Sequence, residues 1–159
     1  MKSITIEIAE LAVEVCFKSN DFYEEVQHRY GKFVSDRTPA LSITCENEHL
    51  PHPRGNARAP QVFINGSRIE IHRSDLHLVA DIKKKTGIAR VNFPMNVFDI
   101  LLRSIFCVLL LQHKKFLVHS AGVKIEGGGI LLPGKSGAGK STLMRTMSDD
   151  VAIGDEINA

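Results

Sequence analysis

The chain has 159 residues, of which 43% are hydrophobic and 24% charged, and its formal net charge is +2. That is enough for one ordinary domain or two small ones of globular composition. It lacks the basic excess of a nucleic-acid binder, and the one basic run, Lys83-Lys84-Lys85, stands before Thr86-Gly87 and reads as a solvated turn.

The N-terminal segment alternates. Ile4, Ile6 and Ile8, then Leu11, Val13 and Val15, are spaced by polar or small residues, which predicts two strands with a break near Ala9-Glu10. Glu7, Glu10 and Glu14 are incompatible with a secretory leader. Asn20 to Tyr30 reads as a short helix, capped by Asn20 or Asp21 and ended by Gly31. Leu41 to Glu46 is a further strand. The proline-rich stretch from Asn47 to Pro60 is a loop, and His49 and His52 within it have no companion ligands. Asn65-Gly66 between alternating apolar residues predicts a tight hairpin. A second hairpin-like pair flanks the lysine run. His72 and His77 read as strand-surface residues rather than ligands.

Pro94 closes this β-rich region. Met95 to Lys115 then reads as one helix, with Lys114 and Lys115 suited to its C-terminal end. Its core, Val97 to Leu111, contains Asp99 and Arg103 and is shorter than the ~20 apolar residues of a membrane span, so a buried helix is expected and no membrane. Cys16, Cys45 and Cys107 are odd in number and far apart. They fit buried free thiols in a reducing cytoplasm, not a disulfide framework or a metal site.

Phe116 to Ile125 is expected as a strand, Glu126 to Gly129 as a turn, and Ile130 to Pro133 as a short buried strand. Next comes Gly134-Lys135-Ser136-Gly137-Ala138-Gly139-Lys140-Ser141, which fits the phosphate-binding pattern G-x-x-x-x-G-K-[ST]. The glycines let backbone N–H groups converge on a phosphate. Lys140 supplies a mobile positive charge, and Ser141 a hydroxyl for Mg²⁺. Thr142 continues into a helix in which Leu143, Met144 and Met147 are expected to face the core. Average residue usage puts a chance match at about 1 in 100 or less.

Phosphoryl transfer also needs carboxylates. Asp149-Asp150 follows the loop too closely and reads as a solvated turn. Asp155-Glu156 follows the apolar Val151-Ala152-Ile153. A parallel strand there, beside the strand that enters the loop, would bring both acids to the phosphate side. His119 sits among apolar residues, either as a core histidine or as part of the site.

From Phe116 onward the chain resembles the C-terminal domain of HPr kinase/phosphorylase and its relatives. The order is the same: a histidine-bearing strand, a glycine turn, a second strand, the phosphate loop, a short helix, a strand and an acidic pair. The resemblance implies an α/β fold with a β-rich N-terminal module at 1–93 and the first part of an HPr-kinase-like P-loop domain at 94–159. It implies binding of ATP and Mg²⁺ and transfer of the γ-phosphate to a serine of a protein or peptide. Asp155 would be the base, Glu156 would hold Mg²⁺ with Ser141, and His119 would tune the acidic pair. It also implies a homo-oligomer. Thr142 stands where that family usually has an acidic residue, and Glu156 where it usually has aspartate, which points away from the reverse reaction and from HPr as acceptor. Relatives continue well beyond the acidic pair, so the resemblance covers only part of such a domain. The motif alone also fits another class of P-loop enzyme or a nucleotide-binding module without catalysis.

Overall fold

A computed structural model describes residues 1–48, 50, 59–92, 95–118, 120–135, 137–147 and 152–154. The chain forms two compact units, Met1–Leu109 and Leu110–Ala159. The division falls within a long helix, not ahead of it.

The first unit holds β1 (Lys2–Ile8), β2 (Leu11–Phe17), α1 (Asn20–Tyr30), β3 (Leu41–Asn47), β4 (Gln61–Asn65), β5 (Arg68–Arg73), β6 (Leu76–Asp81), β7 (Thr86–Val91) and most of α2 (Met95–Gln112). The strands make one seven-stranded mixed sheet in the order β1-β2-β3-β7-β6-β5-β4. β2, β3 and β7 run parallel, and the other neighbours are antiparallel.

Alternation gives this sheet two unlike faces. Across one face the register aligns Ile4, Val15, Ile43, Gly87, Ala80, Ile69 and Ile64, and beside them Phe17, Cys45, Ala89, Leu78, Ile71 and Val62. Most of these are buried. The opposite face carries Glu46, Arg90, His77 and His72 in one row, extended by Lys18, whose ammonium lies 2.6 Å from Glu46.

Aromatic residues anchor the helices to the apolar face. The Phe98 ring in α2 lies 6.0 Å from Phe17, 5.2 Å from Phe22 and 5.9 Å from Tyr30. Each such pair contributes about 0.5–1.5 kcal/mol beyond its buried area. The neighbouring Asp99 accepts hydrogen bonds from Arg29 Nε at 2.8 Å, Arg29 Nη2 at 2.6 Å and the Tyr30 hydroxyl at 2.7 Å. Burial and then the hydrogen bond to Asp99 push the Tyr30 pKa up, so its phenol remains a donor. α2 has the length and composition of a membrane span, with mean hydropathy 1.7, yet Val97, Phe98, Leu101, Leu102, Ile105 and Phe106 are all buried.

Several boundaries differ from the sequence-based expectation. Ser19, not Asn20 or Asp21, is the N-cap of α1, and it makes no side-chain capping bond. Gly31 keeps a right-handed conformation and leads into a 3₁₀ turn, Gly31–Phe33. α2 stops at Gln112 because Lys114 turns left-handed at φ 58°, and the Lys115 N–H donates back to Leu110 O at 2.9 Å. That is the helix-ending motif in which glycine usually sits. Asn65 closes β4, so the hairpin turns at Gly66-Ser67, where only Gly66 has positive φ, 59°. Of the three thiols only Cys45 is buried, and burial raises its pKa to about 12; Cys16 and Cys107 are half-buried.

The second unit holds β8 (Ser120–Ile125), β9 (Gly128–Pro133), α3 (Lys140–Arg145) and β10 (Ala152–Gly154). Its sheet has the order β10-β8-β9 with both pairings antiparallel. β9 is not a buried strand. Ile130 and Leu131 are exposed, and Leu132 alone of the three packs against Ala121, Val123 and Met144.

Lys85 ends the β6–β7 turn at φ 55°, after Asp81 Oδ1 has accepted the Lys83 and Lys84 amides at 3.0 and 3.2 Å. A left-handed conformation costs a residue with a Cβ about 1–2 kcal/mol, and glycine's unfolded-state freedom returns part of that. Lys85→Gly should therefore stabilise the protein by about 1 kcal/mol, raising its melting temperature by on the order of 4 °C in calorimetry, whereas Lys85→Val should lower it.

Candidate functional site

The phosphate-loop sequence lies between β9 and α3. Three glycines shape it for different reasons. Gly137 and Gly139 both have φ 83°, a region that residues with a Cβ avoid. Gly134 needs room instead, because a Cβ there would approach the Ala138 Cβ to 3.2 Å. The Ala138 N–H donates to Lys135 O at 3.1 Å, closing a turn inside the loop, and the Leu143 N–H donates to Gly139 O at 2.9 Å in the first turn of α3. Two left-handed glycines one residue apart suit the backbone of an anion nest.

Lys140 is the first residue of α3. Its ammonium folds back over the loop and donates to Gly134 O at 2.7 Å and Lys135 O at 3.1 Å. An ammonium has three donors, so this geometry keeps a positive charge beside the loop with one donor to spare. Ser141 and Thr142 follow in α3, and both are exposed. Glycines where only glycine fits, a lysine over the loop and a hydroxyl next to it together suit a polyphosphate with its divalent ion.

α3 is held to the sheet by Met144, buried with Ala121 and Val123, while Met147 packs at the edge of that cluster. Leu143 is 39% exposed and is not the core residue its spacing suggests. On so short a helix only one side chain per turn points squarely at the sheet.

Ser136, His119, Asp149, Asp150, Asp155 and Glu156 lie outside the described residues, as do His49 and His52 in the long loop. The strands next to them are described. Ser120 opens β8 opposite Pro133, the last residue of β9. Gly154, the last residue of β10, pairs with Gly122. The start of β8 and the ends of β9 and β10 therefore share one end of the sheet. β10 does not pair with β9 as the sequence suggests; β8 lies between them. The Glu126-Gly127 hairpin pairs β8 with β9, and β10 takes the other edge of β8. β10 still runs in the direction of β9, because both are antiparallel to β8.

A second group is placed together in the first unit. Glu70, His72 and His77 converge on the polar face of the sheet. The signal in the sequence is symmetry about Ser74-Asp75: if the chain reverses there, His72 faces His77. That turn has no glycine or asparagine to mark it. It is fixed by Arg73, which donates to the buried Asp75 at 2.5 and 2.8 Å.

No protein-family model matches this chain, and no curated protein sequence matches it.

The packing of α3 makes Met144→Ala and Leu143→Ala a discriminating pair. Loss of the buried methionine should cost about 2–5 kcal/mol in urea unfolding followed by circular dichroism. Loss of the exposed leucine should stay within about 0.5 kcal/mol.

Proposed function

We propose that residues 134–142 bind Mg²⁺-ATP, and that the protein in its complete form transfers the γ-phosphate to a serine hydroxyl of a protein or peptide, as an HPr-kinase-type enzyme. The observation that supports this reading most is the Lys140 ammonium held over the Gly134 and Lys135 carbonyls, with Gly137 and Gly139 in left-handed conformations beneath it.

The backbone amides of the loop bind the phosphate oxygens, and Lys140 neutralises the charge between the β- and γ-phosphates. Ser141 and Glu156 would hold Mg²⁺, which, when bound, supplies charge neutralisation across the β- and γ-oxygens. In the transfer the acceptor oxygen forms a bond to the γ-phosphorus, and the bond from that phosphorus to the β-bridging oxygen breaks. Asp155 takes the hydroxyl proton and ADP leaves. His119 would set the protonation of the acidic pair. The shared end of β8, β9 and β10 supports this assignment, since all three chain segments issue from it.

Titration calorimetry with Mg²⁺-ATP tests the binding step. The chain should bind with micromolar affinity, and Lys140→Ala should weaken this by about 10–100-fold, the equivalent of one charge-assisted hydrogen bond of about 1.5–3 kcal/mol. No binding by the folded chain would reject the reading for these residues. Binding without label transfer from γ-labelled ATP to any serine peptide, in a longer chain carrying the same loop, would reduce the function to nucleotide binding.

A further inference from the structure

The polar face of the seven-stranded sheet carries a group of side chains with the makings of a metal centre, independent of the phosphate loop. His72 and His77 are direct cross-strand partners on β5 and β6, with ring centroids 4.3 Å apart. Glu70 precedes His72 by two residues and so points from the same face. One ligand atom from each of the three lies within 4.8 Å of the other two. Glu70 divides its carboxylate: Oε1 accepts from Arg68 Nε at 2.6 Å, and Oε2 lies 3.1 Å from His72 Nε2.

His77 supplies the observation that points to a ligand. Its Nε2 is buried and has no hydrogen-bond partner among the described residues. Buried polar atoms are nearly always paired, and one that is not calls for a partner. Arg90, the nearest cation on the adjoining strand, is drawn aside by Glu46 at 3.7 Å and Glu48 at 3.4 Å. Arg68 is paired with Glu70 itself.

We propose that Glu70 Oε2, His72 Nε2 and His77 Nε2 bind one Zn²⁺-class transition-metal ion and leave a coordination position open to solvent. Tetrahedral zinc with arms of about 2.0–2.2 Å sets its ligands about 3.4 Å apart. The 3.1 Å between Glu70 and His72 is already near that value, and small rotations bring the third atom in. Two imidazoles and one carboxylate select zinc, cobalt, nickel or copper over magnesium and calcium, which prefer oxygen throughout. Three protein ligands are the number of a site that keeps water or an exogenous donor in its last position. A cleft of about 400 Å³, lined by Phe63, Arg68 and Glu70 among others, opens beside it and gives such a donor room. The Phe63 ring, 5.6 Å from that of His72, forms an apolar wall.

Calorimetry with ZnCl₂ on the chelator-treated chain tests the site. One Zn²⁺ per chain is expected, with a rise in melting temperature. His72→Gln and His77→Gln should each weaken binding at least about 100-fold, since even indirect partners of metal ligands are worth about 10–100-fold. His28→Gln, on an exposed histidine of α1, should bind as the wild type does. Glu70→Gln, a half-exposed replacement of nearly the same shape, should weaken binding more than tenfold, and it carries the test if circular dichroism shows a histidine variant unfolded. No saturable Zn²⁺ binding by the folded chain, or less than a tenfold loss in folded His72→Gln or Glu70→Gln, overturns the proposal.

Discussion

A sheet with one apolar face must have that face covered, and the first unit is organised by this need. Alternation on β1, β2, β3, β5, β6 and β7 puts most of their buried apolar side chains on one side. Phe98 meets the requirement by entering among Phe17, Phe22 and Tyr30, and Asp99 locks the approach by taking three hydrogen bonds from α1. The polar pair fixes the angle at which the apolar ring enters, because a bidentate arginine tolerates little misalignment. The same alternation turns most polar side chains of these strands to the other face. The clustering of Glu46, Arg90, His77, His72 and Glu70 is thus a by-product of burying their neighbours.

The second unit is governed by backbone conformation instead. Its apolar cluster is small, built from Ala121, Val123 and Met144 with Leu132 and Met147 at the edge. The loop between β9 and α3 takes its shape from left-handed glycines and from a lysine bonded to carbonyls within the loop. These are local constraints written into consecutive residues. A loop of this kind therefore keeps its form with little support from side-chain packing.

That difference explains what the sequence discloses. The strands of the first unit are readable because period-two alternation is a direct image of burial. Their order is not, since β3 lies between β2 and β7 through pairings far apart in sequence, which no local pattern encodes. The phosphate loop between a strand and a helix is readable because all its requirements are adjacent. The place of β10 is misread: its direction matches that of β9, but its neighbour is β8, a choice between strand edges that no local pattern encodes. Leu143 is misread because helical spacing cannot say which side of a short helix meets the sheet. The histidine pair is passed over because the turn that aligns it is held by Arg73 and Asp75, a side-chain contact rather than turn chemistry.

The two proposed ion sites rest on opposite donor chemistry. The loop offers amide N–H groups, an ammonium and one hydroxyl, a set that attracts phosphate oxygens and admits a divalent ion only in their company. Mg²⁺ suits it, being hard, strongly hydrated and bound mainly through substrate oxygens. The sheet face offers two imidazole nitrogens and a carboxylate without any phosphate, a set too soft and too small in number for Mg²⁺ and well matched to Zn²⁺. The histidine set therefore favours Zn²⁺ over Mg²⁺. Occupancy of the histidine site needs no nucleotide, and nucleotide binding needs no imidazole from the sheet. The chemistry of the two units is separable even though one chain carries both.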